Sequence, residues 1–446
     1  MKNKLLLSGI VVAIMLSACG PQKKVAVDSV TNVADENLIP QSTIYFADML
    51  PFGERLLLDE KEKATQMEKF RKRFLAPWKQ TKPFRGNIPY FASYVKVSSE
   101  KRGFSENLYR WSNKHYQNLA YNAQYETAPS MAKNALIVHD TALRLAPTDK
   151  PYFINPKKPG QAYPFDMFQN STLRNGATVK VFHVSYDGLW YYVEAANASG
   201  WVMAEHLAFT NEEIENTWKN TQNFVAILND NSIIKNENIR VAVNLGSVFP
   251  LINESAYGYT IAVAFRSHNG NAVIEHCYVA KDHAHKMPLE LTADRVALLS
   301  EQLVGNLYGW GGMYNNRDCS STLQDLFLPF GLWLPRNSAQ QANSGVKILL
   351  EGMSDKDKED LILTHAIPFQ TFIYLPGHIG LYVGQYNGKA VMLHNMWGVR
   401  IGEFGRFVVG KTVITTLYPG EELEGFNNSL MSRVKSITVI GKEKNK

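Results

Sequence analysis

Residues 308–321 read "YGWGGMYNNRDCSS". Two glycines behind an aromatic pair mark a sharp turn. Cys319 stands where that turn passes into the apolar, helix-spaced run "CSSTLQDLFLPFGLWL". Upstream, "TADRVALLSEQLVGNLYGWGG" opens on Thr292 as an N-cap and predicts an amphipathic helix. Downstream, "PGHIGLYVGQYNGKAVMLHNMWGVRIGEF" predicts two strands joined at an Asn387-Gly388 turn. Helices first and antiparallel strands afterwards define an α+β domain. It is placed at 288–430, with 431–446 left as a C-terminal tail.

A cysteine at the start of a helix meets unpaired backbone N–H groups and the positive end of the dipole. These favour a thiolate and offer donors to an oxyanion. A base is also needed. His378 lies in "GHIGLYVG" and His394 in "VMLHN", the two strands of the predicted hairpin. His378 is placed to accept the thiol proton and His394 to orient its ring. On spacing alone, a structural cysteine with two structural histidines remains the commoner arrangement.

Outward from this domain the texture changes twice. Residues 139–210 and 220–284 give short alternating runs with Asp187-Gly188 and Asn269-Gly270 turns, which predict two small antiparallel barrels. Residues 42–138 favour helix, with Met67, Phe70, Phe74 and Leu75 at helical spacing before Pro77, and are expected to be all-α. Residues 20–41 are polar and irregular, a tether. The architecture expected is therefore multidomain: an all-α N-terminal region, two small antiparallel β-barrels and a C-terminal α+β papain-like domain. A charged insertion, "EGMSDKDKEDLILTHA", is expected as a helix at the site rim. Asp166 and Tyr163 are weaker candidates for the cleft wall, with core or loop packing as the plainer reading.

The net charge of +6 over 446 residues is small, and the basic run at 61–82 is interleaved with Glu62 and Glu68. No basic stripe marks a nucleic-acid binder. At the N-terminus, Lys2 and Lys4 precede an apolar run at 5–16, a signal peptide too short to span a bilayer. Leu16-Ser17-Ala18-Cys19 resembles the lipobox of bacterial lipoproteins. That resemblance implies acylation of Cys19 at the end of a lipoprotein signal placed at 1–19, with cleavage leaving Cys19 as the first residue, and an extracytoplasmic, membrane-anchored protein of the cell envelope, on the periplasmic face in a Gram-negative cell. Only Cys277 and Cys319 then remain, both expected as free thiols. His276, Cys277, Asp282, His283 and His285 are a weak metal-ligand pattern, and Trp190, Trp201 and Trp397 suggest a glycan platform less readily than core packing.

Tyr308, Trp310, Gly311 and Gly312, followed by Asp318-Cys319-Ser320-Ser321, resemble the Y-x-W-G-G…D-C-S-[GS] motif of the NlpC-type bacterial cell-wall cysteine peptidases. "LPRNS" at 334–338 and "GHIGLYVG" at 377–384 are similar to the segments that follow in that family. The order of domains looks like the branch with an N-terminal helical stabilising region and bacterial SH3-type domains, which implies that the two barrels are SH3-like β-barrels. The stretch before His378, "AIPFQTFIYLP", departs from the commoner Gly-Asp pattern. The resemblance implies a γ-D-glutamyl-diamino-acid endopeptidase acting on peptidoglycan stem peptides with a free N-terminal L-alanine. It implies Cys319 as nucleophile, His378 as base and His394 as the orienting residue. Asp318 and Ser320 would receive the α-ammonium group, with Tyr308 and Trp310 shaping the pocket. No cofactor is needed. The alternatives are a catalytically inactive peptidoglycan-binding scaffold and a thiol amidase or transpeptidase on another wall bond.

Overall fold

The computed structural model describes residues 31–442 apart from 52, 54, 85–87, 89–101 and 404. The signal peptide, Cys19 and the first part of the tether lie outside the described residues. The last part of the tether does not hang free. Helix α1 (Ala34–Leu38) follows Val33, which is fully buried against Met396, Val399 and Phe407. The Asp35 carboxylate accepts the Thr416 N–H at 2.8 Å.

Helices α2 (Thr43–Asp48), α3 (Glu60–Phe74) and α4 (Asn113–Ala123) follow. A reciprocal Asp59–Glu62 capping box starts α3, and Arg71, Lys72 and Arg73 close its last turn. Phe70 and Phe74 stack at 5.3 Å and meet Phe224 edge-on. Burying a side chain of this size contributes about 1.5–3 kcal/mol. The region expected to be helical to 138 ends instead in a strand, β1 (Lys133–Ile137).

The first sheet continues with β2 (Thr141–Arg144), β3 (Gln169–Leu173), β4 (Thr178–Val184), β5 (Trp190–Glu194), β6 (Ser199–Met203) and β7 (Leu207–Phe209). Its order is β3-β2-β6-β5-β4-β1-β7. Helix α5 (Glu212–Asn220) leads to β8 (Phe224–Ile227), β9 (Ser232–Lys235), β10 (Arg240–Val243), β11 (Val248–Glu254), β12 (Gly258–Arg266), β13 (Ala272–Ala280) and β14 (Ala284–Lys286). These form a second antiparallel sheet, β10-β9-β13-β12-β11-β8-β14. Cys277 faces its core, fully buried.

The last domain contains α6 (Ala293–Glu301), α7 (Cys319–Phe327), α8 (Ser338–Gln341), β15 (Gly345–Leu349), α9 (Asp355–His365), β16 (Thr371–Leu375), β17 (His378–Tyr386), β18 (Lys389–Ile401), β19 (Gly405–Thr416), α10 (Leu430–Arg433) and β20 (Ser436–Ile440). Thr292 caps α6 by accepting the Arg295 N–H. Asn387 and Gly388 both take positive φ, as the tight turn between β17 and β18 requires. The sheet order is β15-β20-β16-β17-β18-β19. The expected C-terminal tail is therefore a strand: all five residues of β20, "SITVI", are buried between β15 and β16. Ser436 and Thr438 alternate with Ile437 and Val439, yet all are buried because the strand is covered on both faces, with Ile437 in one apolar cluster and Ile440 in another. Leu323, Leu326 and Phe327 of α7 pack on Ile379 and Leu381 of β17, which seats the N-terminus of α7 beside the start of β17. The charged insertion does form a helix, α9, but it packs with Met392 and Met431 and lines no part of the cleft described below.

Candidate functional site

A cleft of about 1810 Å³ opens where the first sheet, the N-terminal region and the last domain meet. Cys319, His378, Asp318, Ser320, Tyr308 and Trp310 all line it. His394 stands directly behind, 2 % exposed.

The Gly-rich turn is shaped by its contact with β3. Gly311 and Gly312 have φ of 60° and 84°, and a Cβ on Gly312 would lie 1.8 Å from Thr172 Oγ1. Gln169 Nε2 donates to the Gly311 carbonyl and Thr172 Oγ1 to that of Gly312, both at 2.9 Å. Trp310 donates through Nε1 to the Asp166 carbonyl at 3.1 Å. The turn that presents Cys319 is thus moulded on the neighbouring domain.

Asp318 is the N-cap of α7 and accepts the Ser321 N–H at 2.9 Å. Its two oxygens also receive both Nη groups of Arg336, at 2.6 and 3.1 Å, and the Gly311 N–H. Burial would raise the Asp318 carboxyl, but the Arg336 charge and hydrogen bonds outweigh it and hold the group below its usual range. Arg336 reaches Ser320 Oγ at 2.7 Å and Ser171 Oγ of β3 at 2.9 Å. An ammonium ion arriving at Asp318 must therefore share the carboxylate with Arg336 or displace it.

Cys319 is a free thiol. The helix N-terminus does not make it a resting thiolate. Burial first, and the Asp318 charge second, push it up to about 12, although the Ile379 N–H hydrogen-bonds to the sulfur. That bond sets the sulfur beside the residue that follows His378. Burial, with the Arg433 charge, lowers His378 to about 4. His394 is also held well below the ordinary histidine value, by burial first and then by His378. Thiol and imidazoles therefore all rest uncharged.

Their hydrogen bonds run in one direction. Thr415 Oγ1 donates to the Thr416 carbonyl at 2.6 Å, so it accepts from His394 Nε2 at 3.0 Å. A neutral His394 protonated on Nε2 has an unprotonated Nδ1, which then accepts from His378 Nε2 at 2.8 Å. The His378 Nδ1 is left without a proton and is the ring nitrogen free to act as a base. The pairing of Leu381 with Leu393 puts Gly380 opposite His394, and a Cβ on Gly380 would sit 3.0 Å from His394 Cβ. The glycine gives His394 its room. Tyr308 stays protonated, its hydroxyl raised well above its ordinary value by burial and then by the Asp318 charge. It remains a hydrogen-bond donor.

Of the weaker candidates, Asp166 is a buried partner of Arg144 at 2.7 Å and holds the loop against Trp310. Tyr163 packs edge-on against Trp397, which also contacts Tyr308 and lines the cleft. Trp190 and Trp201 are core residues. Among the described residues no cluster of three or more His, Cys, Asp or Glu side chains is placed to hold a metal. Arg336, Trp397 and Thr415 are site residues that the sequence did not assign. Arg336 stood inside the quoted "LPRNS", but nothing in one sequence pairs it with a carboxylate 18 residues away. Among the described residues no helix is long and apolar enough to cross a membrane.

Three family models match the chain: "NLPC_P60 stabilising domain, N term" over residues 8–127, "SH3 domain (SH3b1 type)" over 151–203 and "NlpC/P60 family" over 305–410. A solved NlpC/P60 endopeptidase from Photobacterium damselae subsp. piscicida is similar in fold, with a TM-score of 0.80 at 23 % identity over 91 % of this chain and 98 % of that one. An NlpC/P60 family protein from Bacillus cereus ATCC 10987 matches at a TM-score of 0.47 and 16 % identity, over 68 % of this chain and 98 % of that one. No curated protein matches. The fold and its matches define a multidomain cysteine peptidase that acts on peptidoglycan. The chain belongs to the NlpC/P60 family, in the branch that joins the peptidase domain to a stabilising region and an SH3b domain.

Proposed function

We propose that the chain hydrolyses the bond between γ-D-glutamate and the diamino acid of peptidoglycan stem peptides, preferring those with a free N-terminal L-alanine. The observation that carries this is the directional chain from Thr416 through Thr415 and His394 to His378, which leaves His378 Nδ1 without a proton on the cleft that Cys319 also lines. As substrate binds, the thiol proton passes to His378 Nδ1 and the sulfur attacks the γ-carbonyl carbon. The N-terminus of α7 and the Tyr308 hydroxyl supply donors to the oxyanion. His378 then protonates the departing amine. Water, deprotonated by the same nitrogen, hydrolyses the thioester and releases L-Ala-D-Glu. Asp318 and Ser320 receive the substrate ammonium, with Arg336 sharing the carboxylate, and Trp310 shapes the pocket. Both seven-stranded sheets are read as SH3-like barrels. Cys19 is read as the lipidated first residue of an extracytoplasmic protein.

The test incubates the soluble chain with L-Ala-γ-D-Glu-meso-diaminopimelate under reducing conditions and follows products by mass spectrometry. L-Ala-D-Glu is expected. Its absence across pH, with another wall bond cut instead, would replace this reading with that of an amidase.

A further inference from the structure

The cleft carries charge that the catalytic chain does not use. Arg400, Arg406 and Arg433 all line it. Arg400 and Arg406 are direct cross-strand partners on β18 and β19. Like charges opposite each other in an antiparallel pair destabilise it. Among the described residues, Arg400 donates only to the Glu403 carbonyl, and Arg433 only to the Pro376 carbonyl, two residues before His378. The buried Arg406 Nε has no hydrogen-bond partner among the described residues, and its guanidinium lies over the Phe165 ring at 5.8 Å. Among the described residues, none of the three forms an ion pair with a carboxylate. The two carboxylates lining the cleft are engaged elsewhere: Asp318 holds Arg336, and Glu194 accepts the Phe84 N–H. Three guanidiniums drawn to one wall without a counter-ion fit a ligand that brings its own carboxylates.

From this we propose, resting on the function above, that Arg400, Arg406 and Arg433 select a diamino acid whose side chain ends in a carboxylate, of the diaminopimelate type, over lysine. The γ-D-glutamyl residue offers one free carboxylate in either substrate. The two differ in the diamino acid. Lysine ends in an ammonium ion alone, which three arginines repel. Diaminopimelate ends in a carboxylate beside its ammonium, which a guanidinium binds in bidentate fashion.

The test compares kcat/KM for three peptides: L-Ala-γ-D-Glu joined to meso-diaminopimelate, to L-lysine, and to diaminopimelate amidated at its distal carboxyl. The free carboxylate is expected to win by on the order of tenfold or more, the size of a lost charge-assisted hydrogen bond. Arg406→Gln and the exposed Arg400→Gln should each lower kcat/KM for the diaminopimelate peptide, leave the lysine and amidated peptides unchanged or improved, and keep the thermal melt of the parent. Equal rates on all three peptides would overturn the inference. So would arginine variants that slow all three alike, since that places the cluster on the shared glutamyl carboxylate. If the parent cleaves none of them, the proposed function fails by itself. Binding of the peptides to Cys319→Ala by calorimetry then decides the inference: a preference for the free carboxylate keeps it, and equal binding ends it.

Discussion

Removing Asp230 should loosen the catalytic loop from a domain that touches no substrate. Asp230 lies between β8 and β9 of the second sheet. It receives both Nη groups of Arg317 at 2.6 Å, and Arg317 is the residue before Asp318 and Cys319. The Arg317 side chain is 7 % exposed and also holds Asp325 at 2.7 Å. Taking one partner from a buried ion pair costs about 3–5 kcal/mol. Asp230 is 21 % exposed and Arg317 keeps Asp325, so Asp230→Ala should cost about 2–3 kcal/mol. Burial raises the Asp230 carboxyl, but the Arg317 hydrogen bonds and charge outweigh it and hold the group low. Its stabilisation is therefore complete above the ordinary aspartate value of about 3.9 and is lost as pH falls through the depressed folded value. The variant should lose less stability on that acid limb. Equilibrium urea unfolding, followed by tryptophan fluorescence and circular dichroism together, measures the effect without adding salt. A three-domain chain need not unfold in one step, so the decisive quantity is the coupling in a cycle with Arg317→Met. Coupling of about 1.5 kcal/mol or more is expected, with kcat reduced roughly tenfold to a hundredfold by displacement of the loop. Single variants that add within about 0.5 kcal/mol, with unchanged kcat, would refute the reasoning.

Cys319→Ala should abolish hydrolysis while leaving the thermal melt within a few degrees, since a small side chain at the head of α7 is removed without opening its core. His394→Ala should lower kcat on the order of a hundredfold with little change in KM, because the ring is buried and acts through His378; a KM effect alone would assign it to substrate binding. kcat/KM should fall on the acid side near pH 4, where His378 takes up a proton and ceases to be a base, and on the alkaline side near about 8, where a substrate α-ammonium deprotonates. A substrate with a blocked N-terminus should lose the alkaline limb and most of its rate; retention of both would remove the ammonium from recognition. The same depressed His378 makes stability level above the ordinary histidine value of about 6.5 and falling from there to about 4, because the unfolded chain binds the proton first.

Local signals carried the peptidase domain. The Gly turn, the N-cap at Thr292 and the Asn387-Gly388 hairpin each rest on residues within a few positions of one another, and each stands in the structure where the pattern put it. What failed was non-local. "SITVI" at 436–440 is a short run whose partners are distant: Ile437 pairs with Ile348 of β15, 89 residues before, and with Ile373 of β16, 64 before. "KNALI" at 133–137 follows a helical stretch and becomes a strand only because β4 and β7 lie on either side of it. The charge state of Cys319 was the third miss. A helix N-terminus favours the thiolate, but burial and an adjacent carboxylate dominate, and neither is visible in the spacing.

The ion network behind the cleft explains why the flanking sheets belong to the machinery. Arg174, from the first sheet's β3–β4 turn, bonds Asp325 of α7 at 2.7 Å, and Asp140 of the same domain at the same distance. Asn244, between β10 and β11, donates to Asp140 at 2.8 Å. Asp230 and Asp325 then meet on Arg317. Two guanidiniums and three carboxylates from three domains close one buried circuit beneath the turn that carries Cys319, while Arg336 ties Asp318 to Ser171 of β3 on the other side. Buried ion pairs of this kind add little net stability over well-packed apolar residues. What they impose is geometry, since each charge must be met at a fixed distance. Cys319 is therefore held by a frame that the peptidase domain does not contain alone, and activity should depend on all three domains even though the thiol and both imidazoles come from one.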